Sequence, residues 1–278
     1  MCAFERSEKG MEFNMYKIKN LLENDDIRTV EQHDGMTVIE YMRDLSVMPT
    51  TAVLAYYCAE MNVKKRQLVI NLEDNEYTIS AGAMQWMAGN VVAAADVKGV
   101  GDFLGKAIKG SVTKESAVKP KYKGNGTLVL EPTYKHILLE DLSTWNGGIV
   151  LDDGLFLACP SHINQNVVMR SNLSSAMLGR EGLFNLCLSG NGFVALESPV
   201  PREELVEIEL QNDVIKIDGN FAIAWSKTLD FTVEKSTRSL IGSAISGEGF
   251  VNVYRGTGKV LMAPVRNLTT ASATSLSM

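Results

Sequence analysis

Three histidines and four cysteines are the residues of this chain best suited to metal or nucleophile chemistry, and their spacing supports neither. His33, His136 and His162 lie far apart with no HxH or HExxH pattern, so a metal centre would have to be assembled by folding alone. Cys2, Cys58, Cys159 and Cys187 form no CxxC pair and no regular spacing, which signals neither a disulfide framework nor a zinc ribbon. They read as buried or idle thiols of a reducing compartment. Cys159 and His162 invite a nucleophile-and-base reading. Three residues along a strand, however, point two side chains to opposite faces, so a structural thiol and a surface histidine are expected instead. The sequence calls for no metal and no cofactor.

The stretch Gly99-Val-Gly-Asp-Phe-Leu-Gly-Lys-Ala107 resembles a phosphate loop at a glance but fails in detail. Three residues separate Gly101 from Gly105 where that loop has four, and Ala107 stands where a hydroxyl would meet magnesium. It reads as a glycine hinge. Following it, Lys106, Lys109, Lys114, Lys119, Lys121 and Lys123 face the single acid Glu115, the one anion-facing segment of the chain. An anionic partner, RNA or a membrane surface, is one expectation here; a solvated sheet edge guarded by lysines is the other. The adjacent carboxylates Asp25–Asp26, Asp152–Asp153 and Glu203–Glu204 could do acid–base work only if folding opposed them, and they sit where acids are usually solvated. Trp86, Trp145 and Trp225 are expected to fill cores or interfaces rather than stack bases.

The elements that must position these residues follow from a broader pattern. The chain has 278 residues, 45% hydrophobic and 22% charged, enough for a large core without disulfide or metal staples. Its net charge of −6 repels phosphate backbones and anionic lipid, so any anion site must be local. Glu5, Glu8 and Glu12 near the start, with no apolar h-region, argue against a secretory signal. The longest apolar stretch, residues 51–61, is too short to span a bilayer, and a cytoplasmic location is expected.

Self-similarity is the main signal. Gly124 and Gly126, Gly190 and Gly192, and Gly256 and Gly258 form three Gly-x-Gly steps spaced 66 residues apart, predicted to be tight hairpin turns. After each step the apolar positions match in period two, with Leu128, Val194 and Val260 in one column and Leu130, Leu196 and Met262 in the next. The expected fold is mainly β: three strand-rich repeats of about 66 residues, at 67–132, 133–198 and 199–264, in a pseudo-threefold arrangement or stacked in a row. Residues 1–66 form a mixed N-terminal extension with strand pieces such as 37–41 and a short helix after Pro49, its end placed near Lys64, Lys65 and Arg66 to suit the helix dipole. The Ser/Thr/Ala-rich residues 266–278 read as a mobile tail.

Three motifs carry a family resemblance: Gly82-Ala-Met-Gln-Trp-Met-Ala-Gly-Asn-Val91, Gly179-Arg-Glu-Gly-Leu-Phe184, and Ser246-Gly-Glu-Gly-Phe250 followed by Arg255-Gly-Thr-Gly-Lys-Val260. Over about residues 67–265 the chain resembles the altered-inheritance-of-mitochondria family of mitochondrial biogenesis proteins and their bacterial relatives. The resemblance implies a fold similar to the tryptophan RNA-binding attenuation protein, β units about a pseudo-threefold axis, and homo-oligomers. Three functions follow as expectations: a non-enzymatic oligomeric scaffold or binding module first, an RNA- or anionic-membrane-binding module through residues 106–123 second, and an enzyme with a site between repeats or subunits third.

Overall fold

The computed structural model describes residues 16–94, 119–169, 184–219, 221–235 and 250–265. Sixteen strands, one α-helix and two short 3-10 turns (Leu142–Thr144 and Arg202–Glu204) are the regular elements of the described residues: β1 (Ile27–His33), β2 (Met36–Tyr41), α1 (Ala52–Glu60), β3 (Arg66–Asn71), β4 (Glu76–Ile79), β5 (Met84–Ala94), β6 (Lys121–Leu130), β7 (His136–Asp141), β8 (Ile149–Leu151), β9 (Phe156–Pro160), β10 (Asn164–Met169), β11 (Phe184–Ser189), β12 (Phe193–Ser198), β13 (Val206–Asp218), β14 (Ala222–Ser226), β15 (Asp230–Lys235) and β16 (Phe250–Met262). The mainly β expectation therefore holds. All pairings are antiparallel, and they build two sheets. The first runs β1-β2-β3-β6-β4-β9-β12-β7 with β5 beside β6; the second runs β10-β11-β8-β14-β16-β13 with β15 beside β16.

Long strands act as spines. β6 has β5 along its whole length on one side, and on the other β3 (Val69 opposite Val129) and then β4 (Tyr77 opposite Tyr122). β16 has β13 along one side, and on the other β14 (Trp225 opposite Val260) and then β15 (Phe231 opposite Tyr254). Between them, β11 pairs with β10 and β8, while β12 pairs with β9 and β7.

The Gly-x-Gly steps sit in these spines, which corrects the hairpin expectation. Gly124 and Gly126 lie inside β6, Gly256 and Gly258 lie inside β16, and Gly190 and Gly192 carry the chain from β11 in one sheet to β12 in the other. Positive φ was a sound inference, as at Gly124 (φ 125°), but close approach is the stronger demand. A Cβ on Gly124 would lie 2.0 Å from the Asn90 carbonyl oxygen of β5, and one on Gly258 would lie 2.6 Å from the Ser226 Cβ. A two-residue hairpin exists elsewhere, at Asp34-Gly35 between β1 and β2, where both residues have positive φ.

Period-two burial divides the interior into several cores. Leu128, Val194 and Val260 are fully buried, and Leu130 and Leu196 follow them inside, while Met262 is half-buried. One core gathers Leu68, Ile70, Tyr77, Leu128 and Leu130; a second gathers Trp145, Leu151, Phe156, Cys159 and Leu196; a third gathers Trp225, Phe231 and Tyr254, whose ring centroids lie 4.9–5.3 Å apart. A smaller cluster of Ile39, Val69 and Val129 seats Leu21, Ile27, Tyr41 and Trp86 on the outer face of the first sheet.

The N-terminal extension continues that sheet. β2 pairs with β3 from Met36 opposite Ile70 to Glu40 opposite Arg66, and its first five residues are buried. Its hairpin is fastened from the side: Leu139 N–H donates to Glu31 Oε2 at 3.1 Å, Phe193 N–H donates to Asp34 Oδ2 at 3.0 Å, and the Tyr77 hydroxyl donates to the Asp34 carbonyl.

Candidate functional site

The helix after Pro49 forms, from Ala52 to Glu60, with Thr51 at its N-terminal boundary. Its end differs from expectation. No basic residue lies in the last turn; Lys64 and Lys65 lie beyond it and Arg66 opens β3. Those cations serve the sheet. Arg66 and Glu40, both about 3% exposed, pair at 2.7 Å beneath the helix exit. The same guanidinium donates to the Asn62 carbonyl at 3.1 Å, the Asn62 side chain at 2.8 Å and the Lys64 carbonyl at 3.2 Å, so a buried ion pair clamps the chain where it leaves α1.

Above this clamp the helix has no buried residue. Its sequence, Ala-Val-Leu-Ala-Tyr-Tyr-Cys-Ala-Glu, is apolar all round rather than along one stripe, a pattern that belongs in an interior. Leu54 is 66% exposed, Tyr57 63% and Met61 78%, and Leu45, Met48, Val53, Tyr56, Val63 and Tyr134 are exposed around them. Between helix and sheet runs a groove of about 340 Å³ lined by Tyr41, Leu54, Ala55, Cys58, Val63 and Tyr134. Charges at its edge are answered within the chain: Lys65 meets Asp44 at 2.6 Å, Lys64 meets Glu40 at 3.5 Å, and Arg43 meets Asp26. Hydrogen bonding to Asp44 raises the Lys65 pKa, and hydrogen bonding to Lys65 holds Asp44 below the usual carboxylate range. Near the clamp, burial and the Arg66 charge push His136 down to about 4.

The other residues marked for chemistry are dispersed into structural roles. His33 stacks on Phe193 with ring centroids 3.9 Å apart, and His162 Nε2 lies 3.0 Å from the Asn191 carbonyl. Among the described residues no group of three His, Cys, Asp or Glu side chains could hold a metal ion. Cys159 lies in the second core, where burial pushes its thiol up to about 12; the Gln165 amide approaches its sulfur at 3.5 Å. That is a protonated thiol and a poor nucleophile. Lys119 sits 5.1 Å over the Phe156 ring, Lys121 lies 3.8 Å from Glu76, and Lys123 faces Glu76 across the β4–β6 pairing. Lys106, Lys109, Lys114 and the hinge at 99–107 lie outside the described residues. Asp26 holds Arg43, Asp152 and Asp153 occupy the turn from β8 to β9, and Glu203 and Glu204 lie exposed in a single 3-10 turn. Trp145 and Trp225 are core residues, the former donating to Glu140 at 3.0 Å with Lys259 stacked 4.4 Å over its ring, and Trp86 is half-buried on the outer sheet face.

A second cavity, of about 610 Å³, opens on the outer face between Tyr16, Gln32, Asn71, Glu73 and Thr127. Its polar groups partly satisfy one another: the Tyr16 and Thr127 hydroxyls lie 3.0 Å apart and Asn71 donates to Glu73 at 2.6 Å.

With this geometry in view, residues 60–265 match the family model described as Mitochondrial biogenesis AIM24. The chain belongs to that family. An uncharacterised protein of Streptococcus pyogenes serotype M6 is 28% identical over 189 residues, spanning 66% of this chain and 74% of that protein. A crystal structure of a Streptococcus pyogenes protein superposes with a TM-score of 0.54 at 24% identity, covering 74% of this chain and 90% of the other, and supports the fold. The AIM24 match begins at residue 60, at the last residue of α1, so the apolar body of the helix precedes the matched region. Among the described residues no helix is long and apolar enough to cross a membrane.

Sequence reasoning located the apolar stretch at 51–61, read it as a short helix and weighed its apolar character only as a membrane span. The missed signal was its lack of a polar face, which in a nine-residue helix leaves apolar side chains outward whichever way it packs.

Proposed function

We propose that this AIM24-family chain is a non-enzymatic scaffold that associates with copies of itself through the apolar face of α1, on a body of three strand units stacked in a row. The exposed helix carries the reading. At roughly 100 Å² of exposed side chain each, the four outward apolar residues of α1 and the five exposed around it offer on the order of 900 Å² per copy, against about 800 Å² per partner in a stable interface. A short helix is marginal without tertiary burial, so covering that face also stabilises the helix itself.

A second copy suits this face better than an anionic surface does. Lys64, Lys65, Arg66 and Arg43 are each paired with an acid of the same chain, which leaves few free cations to meet phosphate. A twofold contact places identical residues together, and internally neutralised edges make that juxtaposition free of like-charge repulsion. The three-unit body draws support from the matched burial of Leu128, Val194 and Val260 and from the parallel roles of β6 and β16 as spines. The non-enzymatic reading draws support from Cys159, Glu40 and Glu140, each committed to packing or to a buried pair.

Sedimentation or light scattering of the full chain tests this directly. The wild type is expected to be oligomeric at micromolar concentration, and a Leu54→Ser, Tyr57→Ser double variant is expected to dissociate at concentrations at least about tenfold higher. A wild-type monomer at micromolar concentration would overturn the proposal.

A further inference from the structure

One strand pairing occurs twice in this chain. β4 meets β9 with Tyr77 opposite Pro160, Thr78 opposite Cys159 and Ile79 opposite Ala158. Just outside these pairs, Ser80 N–H donates to the Leu157 carbonyl and Ser161 N–H donates to the Glu76 carbonyl, each at 2.7 Å. β8 meets β14 with Ile149 opposite Ser226, Val150 opposite Trp225 and Leu151 opposite Ala224. Just outside them, Asp152 N–H donates to the Ile223 carbonyl and Lys227 N–H donates to the Gly148 carbonyl, each at 2.9 Å. The two contacts share one register.

Each contact joins two kinds of strand. β4 and β8 lie along the early part of a spine, β6 and β11, and lead into Gly82 and Gly154 with φ of 79° and 77°. β9 and β14 follow directly and lie along the later part of a spine, β12 and β16. The remaining strands repeat both kinds. Residues 214–218 of β13 lie along the early part of β16 and lead into Gly219, φ 64°, while residues 84–88 of β5 follow Gly82 and lie along the later part of β6. Yet among the described residues β13 pairs only with β16, and β5 pairs only with β6. The two edges that would complete the series have no strand beside them among the described residues.

Burial shows the same gap. The middle pairs of the formed contacts are interior: Thr78 with Cys159, and Val150 with Trp225, all under 5% exposed. Their counterparts, Lys216 and Met87, are both exposed, and Val214 is exposed beside them. The first half of β13 carries Glu207 and Glu209, acids that discourage edge pairing, whereas residues 214–217 read Val-Ile-Lys-Ile.

We propose that the edge of β13 in one copy pairs with the edge of β5 in a second copy, in the register of the two contacts already formed. Ile217 faces Trp86, Lys216 faces Met87 and Ile215 faces Ala88; Asp218 N–H donates to the Gln85 carbonyl and Gly89 N–H donates to the Val214 carbonyl. A second copy is the occupant because, among the described residues, the two strands do not pair with each other within one chain and Met87 and Val214 stay exposed there. The contact is head-to-tail, each copy contributing one edge of each kind, so it extends to a ring or a row. It rests on the self-association proposed above and uses a surface separate from α1.

Disulfide capture tests the register. Lys216→Cys and Met87→Cys are made in separate copies of the full chain, both in a Cys2→Ser, Cys58→Ser background, mixed and oxidised. Facing residues of an antiparallel pair lie within disulfide reach, so a cross-linked dimer is expected at least about tenfold faster than with Glu207→Cys in place of Lys216→Cys. Equal rates for the two mixtures would overturn the proposal. So would a Lys216→Cys, Met87→Cys double variant that forms its disulfide only within one chain as protein concentration is raised. Repeating the capture with Leu54→Ser and Tyr57→Ser added separates the two surfaces: cross-linking persists if the strand edges pair by themselves, even where the α1 contact has been lost or was never made. Loss of cross-linking in that background would overturn an edge contact separate from α1.

Discussion

β2 and α1 stand eleven residues apart in the same extension and meet opposite fates. β2, Met-Thr-Val-Ile-Glu-Tyr, buries its first five residues, a threonine and a glutamate among them; α1, richer in apolar residues, buries none. Hydrophobicity alone therefore did not decide which segment went inside. Strand pairing did: β2 is held between β1 and β3, its Glu40 answered by Arg66, whereas α1 has the sheet on one side and only a groove beneath it. A buried charge is tolerable where its partner is built in, and an exposed apolar helix is tolerable where another surface covers it.

The largest expected effect comes from breaking the buried side of that comparison. Glu40→Ala leaves Arg66 uncompensated in an interior site and is expected to cost about 3–5 kcal/mol in denaturant unfolding. A loss under about 1 kcal/mol would mean that β2 is not anchored by this pair. Next comes the spine: Gly124→Ala puts a Cβ against the Asn90 carbonyl of β5 at positive φ and is expected to cost about 1–3 kcal/mol or more, measured the same way.

The clamp should also be legible in pH. His136 has its pKa lowered from 6.5 to about 4, so below pH 6.5 the unfolded chain takes up a proton that the folded chain refuses. Above pH 6.5 neither state binds it and the term vanishes. Stability is thus expected to fall as pH drops from 6.5 toward 4, with His136→Gln flattening the upper part of that slope, where carboxylates contribute least. An unchanged slope in the variant would remove the histidine from the account. The smallest effect belongs to the exposed side: Leu54→Ser with Tyr57→Ser is expected to shift monomer stability by about 0.5 kcal/mol or less per site, measured at dilutions where wild type and variant are both monomeric. A loss of several kcal/mol there would show that α1 packs inside rather than presenting a face.

Much of the fold was readable because strand burial is a period-two property of the local sequence. Leu128, Val194 and Val260 were matched by spacing and all proved fully buried. The strand at 37–41 and the helix after Pro49 were likewise local and appeared, as β2 and α1. The helix boundary was misread because Lys64, Lys65 and Arg66 look like dipole partners in sequence, while Glu40 and Asp44, which hold them, lie more than twenty residues earlier. The candidate site was half-readable: its apolar content was evident, but exposure depends on which elements arrive above it.

Sequence by itself determined that the chain is mainly β, that its strand columns recur with glycine pairs 66 residues apart, and that those positions demand glycine. Only the tertiary structure decided what the glycines are for. Positive φ is a local preference that a hairpin and a bent spine satisfy equally well, whereas the 2.0 Å approach of the Asn90 carbonyl at Gly124 is made by a strand that begins forty residues earlier. In the same way the composition of α1, β5 and β13 is written in the chain, but whether each finds a neighbour is settled by the order in which strands pair, because main-chain hydrogen-bonding groups are the same in every strand.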